Sequence, residues 1–135
     1  MKQIILFSMC IYLTLSLKLN QDTIDKWNEH IRPHVENCIN ESGVKKDLAD
    51  SLFTNLDYPD DGNLRCYMDC MVRRQGLLDS NNKFDKDKIA SLTPEGHQEV
   101  VDLCIQKAEQ LSGPCENGYT FASCVIRSRA EKENP

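Results

Sequence analysis

Cys66-Tyr67-Met68-Asp69-Cys70 is the stretch that decides the fold of this chain, because it places two cysteines four residues apart. On an α-helix, residues at this spacing lie on one face, about a turn apart. Two cysteines placed in this way cannot comfortably bridge each other within a regular helix. Each is therefore expected to reach a different neighbouring helix, so that one short helix anchors two crosslinks.

The N-terminal residues indicate a secreted protein. Uncharged and mostly apolar residues occupy positions 4–17 and follow Lys2. This pattern is typical of a secretory signal peptide, and it is too short for the roughly 20 apolar residues of a membrane-spanning helix. We expect cleavage after Ser16, which gives a signal peptide at residues 1–16 and a single domain at residues 17–135.

The cysteine count supports the same compartment. Of seven cysteines, Cys10 would be removed with the signal peptide, which leaves an even set. An even set in a small secreted chain indicates a disulfide framework rather than reactive thiols, although spacing alone leaves the pairing open. A zinc site is disfavoured because the location is oxidising and no histidine stands at zinc-finger spacing. We therefore expect no metal and no cofactor.

The charge of the chain excludes one class of partner. The sequence has 21 acidic and 16 basic side chains and a formal net charge of −5, and signal-peptide cleavage would remove one more lysine. Binding to phosphate backbones needs clustered lysine and arginine. Nucleic acid is therefore not an expected partner.

Apolar residues at intervals of three and four predict an all-α domain of about six helices, with no alternating run long enough for a half-buried strand. Pro33 is expected to bend or split the first helix, and Gly43 to end it in a left-handed conformation. Thr93, followed by Pro94, is expected to cap the start of the fifth helix. The predicted helices cover about residues 22–38, 46–56, 63–75, 85–92, 94 to the stop at 112–114, and 117–130, followed by a frayed tail at 131–135.

Six of the cysteines are separated by 27, 3, 33, 10 and 8 residues. The short sequence motifs around them are Glu41-Ser42-Gly43-Val44, Gly76-Leu77-Leu78-Asp79, Lys83-Phe84-Asp85 and Cys115-Glu116-Asn117-Gly118-Tyr119. Together with the opening stretch, this combination resembles the insect odorant-binding proteins of the six-cysteine, general and pheromone-binding type. The resemblance spans the whole mature chain, and the set of cysteine spacings is far more specific than any single motif.

The resemblance implies a compact bundle of six helices around an apolar cavity, interlocked by three disulfides. The implied pairs are first with third, second with fifth and fourth with sixth, which on this sequence are Cys38–Cys70, Cys66–Cys115 and Cys104–Cys124. The implied function is that of a secreted, extracellular, non-enzymatic carrier of small hydrophobic ligands such as odorants or pheromones. A membrane chemoreceptor is a candidate partner, and the carrier would be a monomer or weak homodimer. The resemblance leaves open whether the tail after Cys124 enters the cavity.

A pocket of roughly 300–1,000 Å³ lined by aliphatic and aromatic side chains would suit such a carrier. Met68 and Met71 would give it an adaptable wall, with gap-filling core as the alternative. Tyr58, Tyr67 or Tyr119 would offer a hydroxyl to a ligand oxygen, with a structural hydroxyl as the alternative. Seven apolar residues are predicted to line the pocket, each with ordinary core packing as the alternative: Leu52, Val72, Leu77, Phe84, Val101, Phe121 and Val125.

Two histidines suggest pH-dependent release. His30 and His34 lie four residues apart and have Glu29 and Glu36 as acidic neighbours. Release at an acidic membrane surface has been proposed within the family, and histidine titrates in that pH range. The alternative is that both histidines are simply solvated on the helix surface and have no such role. A metalloprotease site is disfavoured because the H-E-x-x-H arrangement is missing.

Two rival classes compete with the carrier. A secreted enzyme would need a nucleophile or activated water, yet the sequence has no G-x-S-x-G, no calcium loop and no partner motif for His97. A disulfide-stapled signalling or venom protein would act through its surface and have a solid core. Asn40-Glu41-Ser42 is also an N-glycosylation sequon, whose use the sequence does not decide.

Overall fold

The computed structural model describes residues 17–94 and 96–135, so the expected signal peptide and Cys10 lie outside the described residues. The described chain is all-α, and its only β-pairing is an isolated bridge between Leu78 and Phe84. A 3-10 turn joins the first two helices, so the predicted count of about six is confirmed when those two are taken as one split helix. The helices are α1 (Gln21–Ile31), α2 (Val35–Ser42), α3 (Lys46–Asp50), α4 (Gly62–Arg74), α5 (Lys86–Leu92), α6 (Gln98–Glu109) and α7 (Glu116–Glu133).

Two of the predicted helix signals act as expected. Pro33 lies in the 3-10 turn Arg32–His34, which separates α1 from α2. Gly43 ends α2 with φ of 69°, a left-handed conformation that a residue with a Cβ rarely adopts, and its N–H donates to the carbonyl of Ile39 (2.9 Å). Val44 then folds back into the core, with 5 % of its surface exposed.

The second predicted helix is shorter than expected and ends at Asp50 instead of residue 56. The hydroxyl of Ser51 donates to the carbonyl of Asp47 (2.9 Å), a side-chain bond that competes with the helical pattern. Residues 51–54 form tight turns instead. These turns bury the adjacent side chains of Leu52 and Phe53 together.

The predicted start of the fifth helix is wrong. Thr93 does not cap it, because its hydroxyl donates back to the carbonyl of Ile89 (2.7 Å) and thereby closes α5. Gly96 takes a left-handed conformation with φ of 86°, which breaks any helix that begins at Pro94. Helix α6 therefore begins at Gln98.

The predicted frayed tail is also wrong, since α7 continues to Glu133. The carboxylate of Glu133 accepts hydrogen bonds from the Asn20 backbone N–H (2.8 Å) and from the Thr23 hydroxyl. The amide of Asn134 donates to the carbonyl of Lys18 (2.6 Å). These contacts join the C-terminal end of α7 to the start of α1, and we call them the tail latch.

Three disulfides connect the helices that pack most closely. Cys38–Cys70 joins α2 to α4, Cys66–Cys115 joins α4 to the start of α7, and Cys104–Cys124 joins α6 to α7. These are the pairs that the resemblance implies, and Cys66 and Cys70 do reach different helices. We call α2, α4, α6 and α7 the crosslinked frame. The cover is the remainder, α1, residues 46–53 and α5, whose sequences contain no cysteine.

Gly118 and Asn117, in the motif that begins at Cys115, fix the position of α7. The Gly118 N–H donates to the buried carboxylate of Asp69 (2.9 Å), which is also paired with Arg73 (2.8 Å). A Cβ at Gly118 would lie 2.6 Å from the Asp69 Cα. The Asn117 side-chain amide donates to two carbonyls at the end of α6, at 2.8 and 3.0 Å. The motif at residues 115–119 thus holds the start of α7 against both α4 and α6.

The buried apolar side chains form two clusters. The first is built by α1, α2, residues 46–53 and most of α4, together with Ile126 and Ala130 of α7. The second is built by the end of α4, Leu77, Leu78, α5, α6 and Phe121 of α7. Ala122 packs against both clusters. Because α4 and α7 contribute to both clusters, these two helices connect them.

Candidate functional site

A cavity of about 270 Å³ lies between the two clusters. The first cluster contributes Leu52, Phe53 and Met68, and the second contributes Ile89 and Val101. The volume is a little below the expected range, which suits a small or slender molecule. Apolar side chains on opposite sides of the space would bury an apolar molecule and so remove its surface from water.

Six of the seven predicted lining residues border this cavity: Leu52, Val72, Leu77, Val101, Phe121 and Val125. Phe84 does not border it. Its half-buried ring packs against the ring of Phe121, with the centroids 5.0 Å apart, so Phe84 supports a cavity residue from behind. The position of these side chains is thus established, whereas their part in binding remains a prediction.

Helix α1 supplies lining residues that the sequence did not single out. Trp27 and Ile31 border the cavity, and the Trp27 ring meets that of Phe53 edge to face with centroids 5.4 Å apart. Met68 and Met71 border it as well. Periodicity marks Trp27 and Ile31 only as core positions, whereas the two methionines lie where the sequence suggested an adaptable wall.

The three tyrosines are not among the lining residues. The Tyr58 hydroxyl donates to the carbonyl of Leu52 (2.7 Å), and burial raises the pKa of Tyr58 above its usual value. Tyr67 is only 1 % exposed, and its pKa is raised to about 12, mainly by burial and also by the charge of Asp50. Both stay protonated at neutral pH, and the hydroxyl of Tyr58 has a structural partner.

One side of the cavity is bordered by polar residues, and we call this the polar mouth. From α1 it includes Asp22, Lys26 and His30, of which the first two form an exposed ion pair (3.1 Å). His34 lies in the 3-10 turn that follows α1 and is not among the lining residues. The predicted histidine pair is thus divided between two settings.

The other side of the polar mouth centres on His97, which the sequence had no reason to connect with α7. The Arg129 guanidinium lies 3.3 Å from His97 Nε2, and the Lys132 ammonium lies 3.4 Å from Nδ1. Burial and the positive charges of Lys132 and Arg129 lower the pKa of His97. The imidazole is therefore neutral at neutral pH.

Glu133 lies next to the polar mouth and holds the tail latch. Its side chain is 6 % exposed and accepts from Arg129 Nε (3.1 Å) in addition to Asn20 and Thr23. Burial raises the pKa of Glu133, but the hydrogen bonds from Thr23, Asn20 and Arg129 together outweigh it and lower the pKa below its usual value. A carboxylate thus fixes the end of α7 against α1.

Two negative findings apply to residues 17–94 and 96–135. No cluster of three or more histidine, cysteine, aspartate or glutamate side chains is arranged to hold a metal ion there. None of the helices in that part of the chain has the length and apolar character to cross a bilayer.

Comparison with known proteins identifies a family and several relatives. The family model described as the PBP/GOBP family matches residues 20–128. General odorant-binding protein 99a of Drosophila melanogaster is 24 % identical over 127 residues, which cover 89 % of this chain and 87 % of the relative. General odorant-binding protein 99b of the same species is 22 % identical, with 82 % and 79 % covered. Odorant-binding protein 10 of Aedes aegypti is 26 % identical, with 75 % and 74 % covered.

Proposed function

Because the chain belongs to the PBP/GOBP family of insect odorant-binding proteins, we propose that it is a secreted, non-enzymatic carrier of small hydrophobic molecules. The carried molecule would occupy the cavity between the two clusters and cross aqueous fluid inside it. Delivery would be to a membrane chemoreceptor, with the carrier acting as a monomer or weak homodimer. The leader at residues 1–16 would direct it out of the cell.

The observation that carries this proposal is the apolar cavity itself. A ligand gains about 25 cal/mol for each Å² of apolar surface that it removes from water. Burying about 300 Å² would therefore supply about 7.5 kcal/mol, from which the cost of immobilising the ligand is subtracted. A filled core would offer no such gain, which favours the carrier over a protein that acts through its surface.

Release at low pH is part of the proposal, and the tail latch would respond to acid only below the usual pKa of a glutamate, because its hydrogen bonds lower the pKa of Glu133. Protonation of Glu133 in acid would remove the charged acceptor that holds Asn20 and Thr23. Helix α1 contains no cysteine and borders the cavity, so a weaker latch would let α1 move away from Met68 and Met71. Acid would thus favour opening on the α1 side.

Displacement of a fluorescent apolar probe from the oxidised mature protein tests the proposal. We expect saturable binding at about micromolar concentrations, competed by decanol and by short esters. Ala122→Leu places a larger side chain between the clusters, and it should weaken probe binding about tenfold or more. Thr120→Leu, on the same helix but outside the cavity lining, is the matched control and should bind normally.

The rival reading predicts a different result. A protein with three intact disulfides that binds no probe at neutral or mildly acidic pH would contradict the carrier function. The surface-acting signalling or venom type of protein would then be the better account. Equal probe binding by the Ala122→Leu and Thr120→Leu variants would place the ligand outside this cavity.

A further inference from the structure

One face of α7 changes from apolar to cationic along the cavity. Phe121, Val125 and Ile126 line the space between the clusters, and Arg129 and Lys132 follow on the same face toward the polar mouth. Residues three and four apart on a helix are neighbours, so these side chains form a continuous strip. A molecule lying along this strip would have its apolar part on the first three residues and its head beside the two cations.

The hydrogen-bonding groups at His97 do not satisfy one another. A neutral imidazole accepts at one nitrogen and donates at the other, whereas arginine and lysine only donate. Arg129 faces one ring nitrogen of His97 and Lys132 faces the other, at 3.3 and 3.4 Å. Whichever tautomer is present, one cation faces an N–H group. An additional acceptor at this position would resolve the mismatch.

The charges around this position leave room for a single negative charge. Arg129 is paired with Glu133 and Lys26 is paired with Asp22, so these two pairs are locally neutral. Within the described parts of the chain, Lys132 has no carboxylate within ion-pair distance, and its contact is with the neutral His97. Among the described residues, one excess positive charge therefore remains at this position, in a protein whose overall charge is −5.

We propose that the preferred ligand is an aliphatic molecule with a carboxylate head, whose chain lies between the core clusters and whose carboxylate is held by Arg129 and Lys132 beside His97. This inference rests on the proposed carrier function and names its ligand class. A carboxylate supplies acceptor oxygens to both cations and balances the one excess charge. A dianionic phosphate would exceed that balance, and an alcohol or ester would leave the charge uncompensated.

The test compares ligands that differ only in the head group. Decanoic acid, decanol and methyl decanoate compete with the probe at neutral pH and low ionic strength. We expect the acid to bind about tenfold more tightly than the alcohol or the ester, because a charge-assisted contact is added to the same buried chain. Added salt should reduce the advantage of the acid without weakening decanol.

Two variants of α7 locate the head group. Lys132→Gln should reduce the preference for the acid about threefold or more and leave decanol binding unchanged. Arg127→Gln removes the same charge from an exposed position outside the cavity lining and should keep the full preference. Thermal unfolding of both variants separates an effect on binding from one on the stability of the helix end, where cations are favoured by the helix dipole.

The results distinguish this inference from the proposed function. Equal affinity for the acid and the alcohol in the wild-type protein would overturn the carboxylate site while leaving the carrier intact. The same would follow if both variants lost the acid preference equally, since overall charge would then be the cause, or if Lys132→Gln lowered stability alone. Failure of the acid, the alcohol and the ester to bind at all would overturn the carrier function and the inference together.

Discussion

The crosslinked frame and the cover are held in different ways. In the frame, disulfides tie α4 to α2 and to the start of α7, and a third ties α6 to α7. In the cover, α1 and α5 contain no cysteine and are held by apolar packing, with the tail latch as an additional polar attachment for α1. Residues of both parts border the cavity that lies between the two apolar clusters.

This difference indicates which side of the cavity opens. Covalent loops restrict α2, α4, α6 and α7 in the folded and unfolded chain alike. Local opening takes place where buried contacts and hydrogen bonds are fewest, so it should begin in the cover. A ligand is therefore expected to pass by α1 or α5 rather than between α4 and α7.

The largest effect should come from removing a disulfide of the frame. Replacing Cys66 and Cys115 together by serine opens the bridge with the largest sequence separation, 49 residues. The loss of loop-closure entropy predicts a fall of about 4 kcal/mol in the free energy of unfolding. Denaturant unfolding of the oxidised variant and wild type measures it. A loss below about 1 kcal/mol would show that packing, and not this crosslink, holds α4 to α7.

A second prediction concerns the close approach of α4 and α7 within the frame. Gly118→Ala should lower the free energy of unfolding by about 1–3 kcal/mol, because its Cβ would meet the Asp69 backbone and separate the helices. Gly62→Ala makes the same chemical change where nothing lies within 4 Å, and it should stabilise by about 0.4–1 kcal/mol. Chemical denaturation of both variants gives the comparison, and equal shifts of the same sign would contradict it.

The third prediction concerns the tail latch, which holds the cover. Glu133→Gln should lower the free energy of unfolding by about 1–2 kcal/mol at neutral pH, because the charged acceptor for Asn20 and Thr23 is lost. The folded-state pKa of Glu133 is depressed. Its contribution is therefore fully present above the unfolded pKa of about 4.3, and it disappears as the pH falls through the folded pKa.

The difference between wild type and Glu133→Gln should accordingly close in acid. Unfolding curves measured from neutral to acidic pH would show it. Glu131→Gln is the control, since Glu131 is exposed on the same helix and should show little difference at any pH. A gap that stays constant down to low pH would mean that the charge of Glu133 does not hold the latch.

The smallest stability effects should come from the two aromatic pairs. Phe53→Leu in the cover and Phe84→Leu behind Phe121 each remove a ring contact, and each should cost about 1 kcal/mol. Only Phe53 borders the cavity, so only Phe53→Leu should also alter ligand affinity. Thermal unfolding and probe displacement measure the two properties separately. Equal effects on affinity would contradict the assignment of Phe84 to a supporting position.

Much of the frame could be predicted from sequence because its signals are local. Helical periodicity identifies α4, Pro33 and Gly43 mark breaks that depend on backbone geometry, and the resemblance supplied the cysteine pairs. One failure has a local cause and the other a tertiary one. Thr93 and Pro94 look like a helix start, but the conformation of Gly96 prevents it. The tail is helical because Glu133 meets residues more than 100 positions earlier in the chain.

The cavity was predictable only in part for the same reason. Apolar positions such as Leu52 and Val101 are recognised as buried, but periodicity does not distinguish a core residue from one beside a space. Of the polar mouth, His30 was singled out from sequence but the side at His97 was missed, since His97 meets Arg129 and Lys132 only after α6 and α7 pack. Cationic residues three apart near the end of a helix were visible in the sequence. The sequence did not show that these residues lie at a cavity.

Fluorescence of Trp27 provides the most direct test of the central claim, that a ligand occupies the cavity bordered by the crosslinked frame and the cover. Trp27 is the only tryptophan of the chain, lies on α1 and borders the cavity. Titration with decanol should change its emission saturably, with a midpoint equal to that of probe displacement. The change should be lost in Ala122→Leu and kept in Thr120→Leu. Ligand binding that leaves Trp27 emission unchanged, or a change that persists in Ala122→Leu, would contradict the account.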